Sequence, residues 1–117
     1  MKRSTLKSRL GAALLAVCTS LAMSTPVMAV DAEAAQMLAR QSSCFKCHSI
    51  DKKKDGPPYR EVAAKYRGRS DAEDKLYLHV TSGPMVKFRD GSEDNHKIIE
   101  TKDAAEIKNL IGWILSL

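Results

Sequence analysis

The residues with the most specific chemistry in this 117-residue chain are Cys44-Phe45-Lys46-Cys47-His48. Two thiols three positions apart stand on one turn of chain, and an imidazole follows at once. This is the C-x-x-C-H signature of covalent haem attachment. The spacing has a mechanical reason. Each thiol adds to one haem vinyl group to form a thioether, and the adjacent imidazole then faces the iron from the same side. His48 becomes the proximal ligand, and its other ring nitrogen needs an acceptor that holds the ring still. Two further chemistries use cysteines at this spacing. A thiol redox pair belongs beside a βαβ pattern, which the chain lacks. A zinc site needs two more ligands at short spacing, and the remaining histidines, His79 and His96, are distant. A disulfide between Cys44 and Cys47 would close too short a loop to stabilise a domain much.

The start of the chain suits an exported haem protein. Residues 1–29 carry Lys2, Arg3, Lys7 and Arg9 and no acid, then apolar runs at 10–17 and 21–23, then Val27-Met28-Ala29. A basic start, a short apolar stretch and an A-x-A-like exit predict a secretory signal peptide cleaved after Ala29. The apolar stretch is broken by Cys18, Thr19 and Ser20, so it is too short and polar to span a bilayer. Cys18 leaves with the leader, and Val17 stands where a lipid-anchor site wants a small residue.

The whole chain has 19 Lys+Arg against 14 Asp+Glu, a formal +5. Four of the bases lie in the leader, so residues 30–117 carry only +1. That argues against a nucleic-acid binder, which needs a basic face on the mature domain. The charge is uneven: residues 40–70 sum to +6 and residues 71–117 to −3. The plain reading is a solvated surface. If Lys52-Lys53-Lys54 rim the site with Lys46, they would steer an acidic redox partner.

Residues 30–117 make one domain with six aromatics and eighteen Val, Ile, Leu or Met. A core that small needs a staple, and a haem supplies the apolar surface on which helices can pack. An Ala-rich stretch predicts a helix over 32–41, with Met37 filling the core, and Ser42-Ser43 ends it. Residues 51–58 are a charged loop closed by Gly56-Pro57-Pro58. Short helices follow at 59–66 and 71–82, the latter ended by Gly83-Pro84. Residues 83–100 are a long loop with a small hairpin around Asp90-Gly91. The last helix is the clearest: Asp103 and Glu106 form a capping-box pattern, and Ile107, Leu110, Ile111, Ile114 and Leu117 recur at helical spacing. The mature chain is thus all-α, about four helices around one covalently attached haem.

Residues 30–117 resemble a class I c-type cytochrome of the small bacterial c551/c552-like (c8) group. The resemblance rests on Cys44-Phe45-Lys46-Cys47-His48, Gly56-Pro57-Pro58-Tyr59, Val62-Ala63-Ala64-Lys65-Tyr66 and residues 107–115 with Trp113. It implies that the Pro57 carbonyl accepts the N–H of His48. It also implies that Trp113 sits where the first and last helices cross, and that His79 is placed to reach a haem propionate, although a surface position for that histidine is the plainer reading.

On the far side of the iron the chain departs from the family, which supplies a methionine from the loop before the last helix. The mature methionines are only Met37 and Met85, and Met85 lies early in that loop. Counting back from Trp113 to the family's ligand position lands on Lys97, with His96 one residue further. Lys97-Ile98-Ile99 occupies the place of the family's prolines, and residues 90–95 look inserted. An imidazole is a competent sixth ligand. His96 is the first choice for the distal ligand, with Met85 the alternative and an open or lysine-filled position the remainder.

The expectation is a periplasmic monohaem electron carrier of a Gram-negative bacterium, not an enzyme. It would be monomeric, work between redox partner proteins, and have no integral membrane segment in the mature chain. Alternatives are a His/Met-ligated high-potential carrier using Met85, or a haem sensor or gas-binding protein with a labile sixth ligand.

Overall fold

The structure is a computed structural model and describes residues 28–117; apart from its last two residues, the expected leader 1–29 lies outside the described residues. Asp31 opens helix α1 (Ala32–Gln41), its carboxylate accepting the Ala34 N–H at 3.0 Å. Glu33 in the first turn and Arg40 in the last complement the helix dipole. Ala35, Leu38, Ala39 and Ser42 form the buried stripe. Met37 lies off that stripe and is 50% exposed, which corrects its expected place in the core.

The partner of α1 is the last helix, α4 (Ala104–Leu115). Small side chains at Ala35 and Ala39 let the two helices approach. Ile107, Leu110 and Ile111, each 1% exposed, fill the space between them, and each such burial contributes about 1.5–3 kcal/mol. Asp103 caps α4 by accepting the Ala105 N–H at 2.8 Å. Its own N–H goes to Thr101 Oγ1 at 3.1 Å, so the hydroxyl of Thr101 takes the part that the capping pattern assigned to Glu106. The residue ahead of α1 is clamped to α4 twice: Asp31 N–H donates to Asn109 Oδ1 and Asn109 Nδ2 to the Asp31 carbonyl, both at 2.8 Å.

Between these helices lie a single 3-10 turn (Cys44–Lys46), α2 (Tyr59–Tyr66) and α3 (Ala72–Ser82). The turn begins at Ser43, a non-glycine residue at φ 59°, which reverses the chain after α1. Left-handed backbone strains an L side chain and suits glycine. Ser43→Gly is therefore expected to stabilise the protein by about 0.5–1 kcal/mol, read as a rise of a few degrees in the thermal midpoint of the holoprotein.

The loop read as residues 83–100 contains a two-stranded antiparallel ribbon, β1 (Met85–Lys87) and β2 (Glu93–Asn95), with Met85 opposite Asn95. Its tip is closed by the Phe88 N–H to the Ser92 carbonyl at 2.8 Å and turns through Gly91 at φ 89°. At the base, Gly83 ends α3 at φ 62°, and a Cβ there would stand 3.0 Å from the His96 carbonyl. Three bonds strap the descending strand to the body: His96 N–H to the Pro84 carbonyl at 2.8 Å, Ile99 N–H to the Val80 carbonyl at 2.9 Å, and Glu100 N–H to Ser42 Oγ at 3.2 Å. Among the described residues no helix is long and apolar enough to cross a membrane.

Candidate functional site

The turn after α1 places Cys44 and Cys47 together, neither in a disulfide. The His48 and Cys47 N–H groups both point back to the Cys44 carbonyl, at 3.0 and 3.2 Å. Burial pushes the Cys44 thiol above its ordinary value, and the Tyr59 hydroxyl beside it partly opposes that. Burial, then the neighbouring Cys44, raises the Tyr59 hydroxyl too, so it stays protonated.

The following loop folds back over this turn. Gly56 N–H donates to the Cys47 carbonyl at 2.7 Å, Tyr59 N–H to Ser49 at 2.8 Å and Arg60 N–H to Ile50 at 3.1 Å. The Lys54 ammonium donates to the Phe45 carbonyl, which ties one member of the exposed lysine run to the turn. The result is a tight seat for His48. Its Nδ1 lies 2.8 Å from the Pro57 carbonyl, the contact that the resemblance implied. Tyr59 stacks on the same ring, 5.2 Å between centres and 16° from parallel. On the third side Gly56 approaches so closely that a Cβ would meet His48 Cε1 at 2.5 Å. With Nδ1 engaged, the ring is left with Nε2 as its free coordinating nitrogen.

Trp113 does not reach His48 directly. It is buried, 4% exposed, and sets its ring edge-on to Tyr59 at 5.7 Å. Trp113, Tyr59 and His48 therefore form a continuous run of aromatic contacts from the buried side of α4 to the haem motif. Tyr59 and Gly56 were not singled out as site residues by the sequence; an aromatic directly after Gly-Pro-Pro was the available signal.

Across from His48 stands His96, its ring centre 6.1 Å away and its plane tilted by 52°. Two metal–imidazole bonds of about 2 Å each would put two facing nitrogens about 4 Å apart, and the rings behind them fill the rest of that span. His96 Nδ1 is buried without a hydrogen-bond partner. His79, from α3, packs against His96 at 4.3 Å between ring centres and 56°. Burial first, then neighbouring imidazole charge, holds both below the ordinary histidine value; Lys65 adds to this at His79 and the Lys97 backbone opposes it at His96. Both shifts favour the neutral imidazole, the form that binds metal.

The other distal candidates lie elsewhere. Met85 sits on β1 with 63% of its surface exposed. Lys97 turns outward to pair with Glu100 at 3.3 Å. A pair of unjoined thiols, a seated imidazole, a second imidazole at coordinating separation and a glycine where a side chain would intrude all fit a covalently held haem.

Comparison with known proteins identifies the family and the fold. The family model described as Cytochrome c matches residues 32–117. The chain is similar to cytochrome c-551 of Allochromatium vinosum, 36% identical over 97 residues that cover 83% of this chain and 100% of the relative. It is also similar to cytochrome c-551 of Stutzerimonas stutzeri, 38% identical over 104 residues, 89% of this chain and 92% of the relative. Among solved structures, the class 1 cytochrome MtoD from Sideroxydans lithotrophicus ES-1 superposes with a TM-score of 0.72 at 60% identity, covering 75% of this chain and 97% of that one. Wild-type Nitrosomonas europaea cytochrome c552 superposes at 0.57 with 28% identity, over 70% and 98%.

Proposed function

The chain belongs to the cytochrome c family, and on that premise we propose a periplasmic monohaem electron carrier with two axial histidines, His48 and His96. Membership brings haem c, held covalently through the thiols of Cys44 and Cys47, and electron transport between redox proteins. The proposal concerns the compartment, the distal ligand and the roles of the residues around it.

The observation that carries it is the 6.1 Å between the ring centres of His48 and His96, while Met85 stands exposed on β1. The haem supplies an iron that gains and loses one electron. The Pro57 carbonyl holds the His48 N–H and so fixes the tautomer and plane of the proximal ring. Tyr59 packs against that ring, and Trp113 in turn backs Tyr59. The Pro84 carbonyl anchors the backbone of His96 at the root of the ribbon. A second imidazole in place of a thioether favours ferric iron, so this carrier works at a lower potential than its methionine-ligated relatives. The basic leader with its short apolar stretch and Ala29 exit supports export to the periplasm.

The test is the far-red absorption of the ferric protein, where a weak band marks iron bound to methionine sulfur. The expected result is no such band in the wild type, high-spin iron in His96→Ala and an unchanged spectrum in Met85→Ala. A band that disappears in Met85→Ala would replace His96 by Met85 as the ligand.

A further inference from the structure

The two axial histidines are not supported alike. His48 has the Pro57 carbonyl against Nδ1 at 2.8 Å. His96 has no such partner: its Nδ1 is buried and unpaired. An imidazole that binds metal through one nitrogen keeps an N–H on the other, and that N–H ordinarily needs an acceptor. A buried donor left without one costs about 1–3 kcal/mol. The side chain lying against the His96 ring is another imidazole, His79, at 4.3 Å between centres. A neutral imidazole carries one acceptor nitrogen.

The two residues are also held in register by the fold. His79 lies in the last turn of α3, whose end at Gly83 is in close contact with the His96 carbonyl. The Pro84 carbonyl, one residue beyond that end, takes the His96 N–H. The ring of one and the backbone of the other thus belong to the same corner. The Lys97 backbone also acts on the His96 ring and raises its pKa, yet Nδ1 itself is left without a hydrogen-bond partner.

We infer that His79 is a positioning residue for the distal ligand: its ring nitrogen accepts the His96 Nδ1–H and fixes the plane of that imidazole. In the structure the two rings touch without this bond, so the role requires the His79 ring to turn its acceptor nitrogen toward Nδ1. The role rests on His96 being the distal ligand, and it is distinct from a reach to a haem propionate, which would leave His96 unsupported.

The experiment uses ferric holoprotein carrying His79→Leu, His79→Gln or His96→Ala. Cyanide, which competes with the distal imidazole for iron, is the probe, and the low-spin electron paramagnetic resonance signal is the second readout. His79→Leu keeps the packing and removes the acceptor, so cyanide binds about 10–100-fold more tightly and the resonance shifts. His79→Gln restores an acceptor oxygen and behaves as wild type.

Wild-type behaviour of His79→Leu, with His96→Ala high-spin, overturns the role of His79 and leaves the ligand assignment standing. Equal shifts in the leucine and glutamine variants overturn the hydrogen bond. A His96→Ala protein that keeps its low-spin spectrum removes the ligand assignment and the inference together.

Discussion

Trp113→Ala is expected to cost about 3–5 kcal/mol of stability. The indole is 4% exposed and lies among Ile107, Leu110, Ile111 and Ile114 on the same helix, all buried. Its removal loses the burial, leaves a cavity and removes the edge-on contact with Tyr59 at 5.7 Å; that aromatic contact alone is worth about 0.5–1.5 kcal/mol beyond burial. Stabilities of small domains are only about 5–15 kcal/mol in total, so the loss is a large fraction of the whole. It should appear as a fall of at least about 12 °C in the thermal midpoint of the ferric holoprotein. A second effect follows from the stack. Tyr59 loses its backing, and Tyr59 is the residue against the His48 ring, so the haem absorption should change well below the unfolding transition. Trp113→Phe should recover most of both. A midpoint within a degree or two of wild type for the alanine variant would contradict this account of the core.

Gly56→Ala should act on the site itself. The added methyl would meet three atoms of the His48 ring, Cε1, Nδ1 and Nε2, at 2.5, 2.8 and 3.0 Å. A flexible side chain would swing away, but this ring is pinned by the Pro57 carbonyl and faced by Tyr59. The loop cannot easily retreat either, because Gly56 N–H is bonded to the Cys47 carbonyl. Overpacking of this kind costs about 1–3 kcal/mol, and here it falls on an iron ligand. The expected result is a low yield of holoprotein, with a high-spin fraction in what is recovered. A Gly56→Ala protein with the yield and spectrum of wild type would show that the seat around His48 is looser than described.

What could be read from the sequence followed the strength of local signals. The last helix was legible because five apolar residues repeat at helical spacing, and Asp103 caps it as its type and position require. The haem motif was legible because its chemistry fixes both residue type and spacing. Met37 was misplaced because an Ala-rich helix shows little contrast between its faces; the buried stripe through Ala35, Leu38 and Ala39 emerges only from packing on α4. The ribbon was foreseen at its Asp90-Gly91 tip and in the alternation of Val86-Lys87-Phe88-Arg89, but its strands Met85–Lys87 and Glu93–Asn95 are only three residues each and the second carries no apolar residue. The contact of His79 with His96 joins a helix to a loop strapped across its end, and no local period encodes that. Nor does any encode the clamp of Asn109 on Asp31, which depends on two helices meeting.

That clamp joins positions 78 apart in the chain. Closing a loop of that length costs on the order of 4 kcal/mol in chain entropy, so the first and last helices pair late. Cys44, Cys47 and His48 lie inside the loop. In the export proposed above, the amino end would cross first and residues 44–48 would be presented while α4 has yet to arrive. The half-buried Cys44 would then be open to haem attachment until the last helix closes the fold, so the order of the elements along the chain would set the order of the two events.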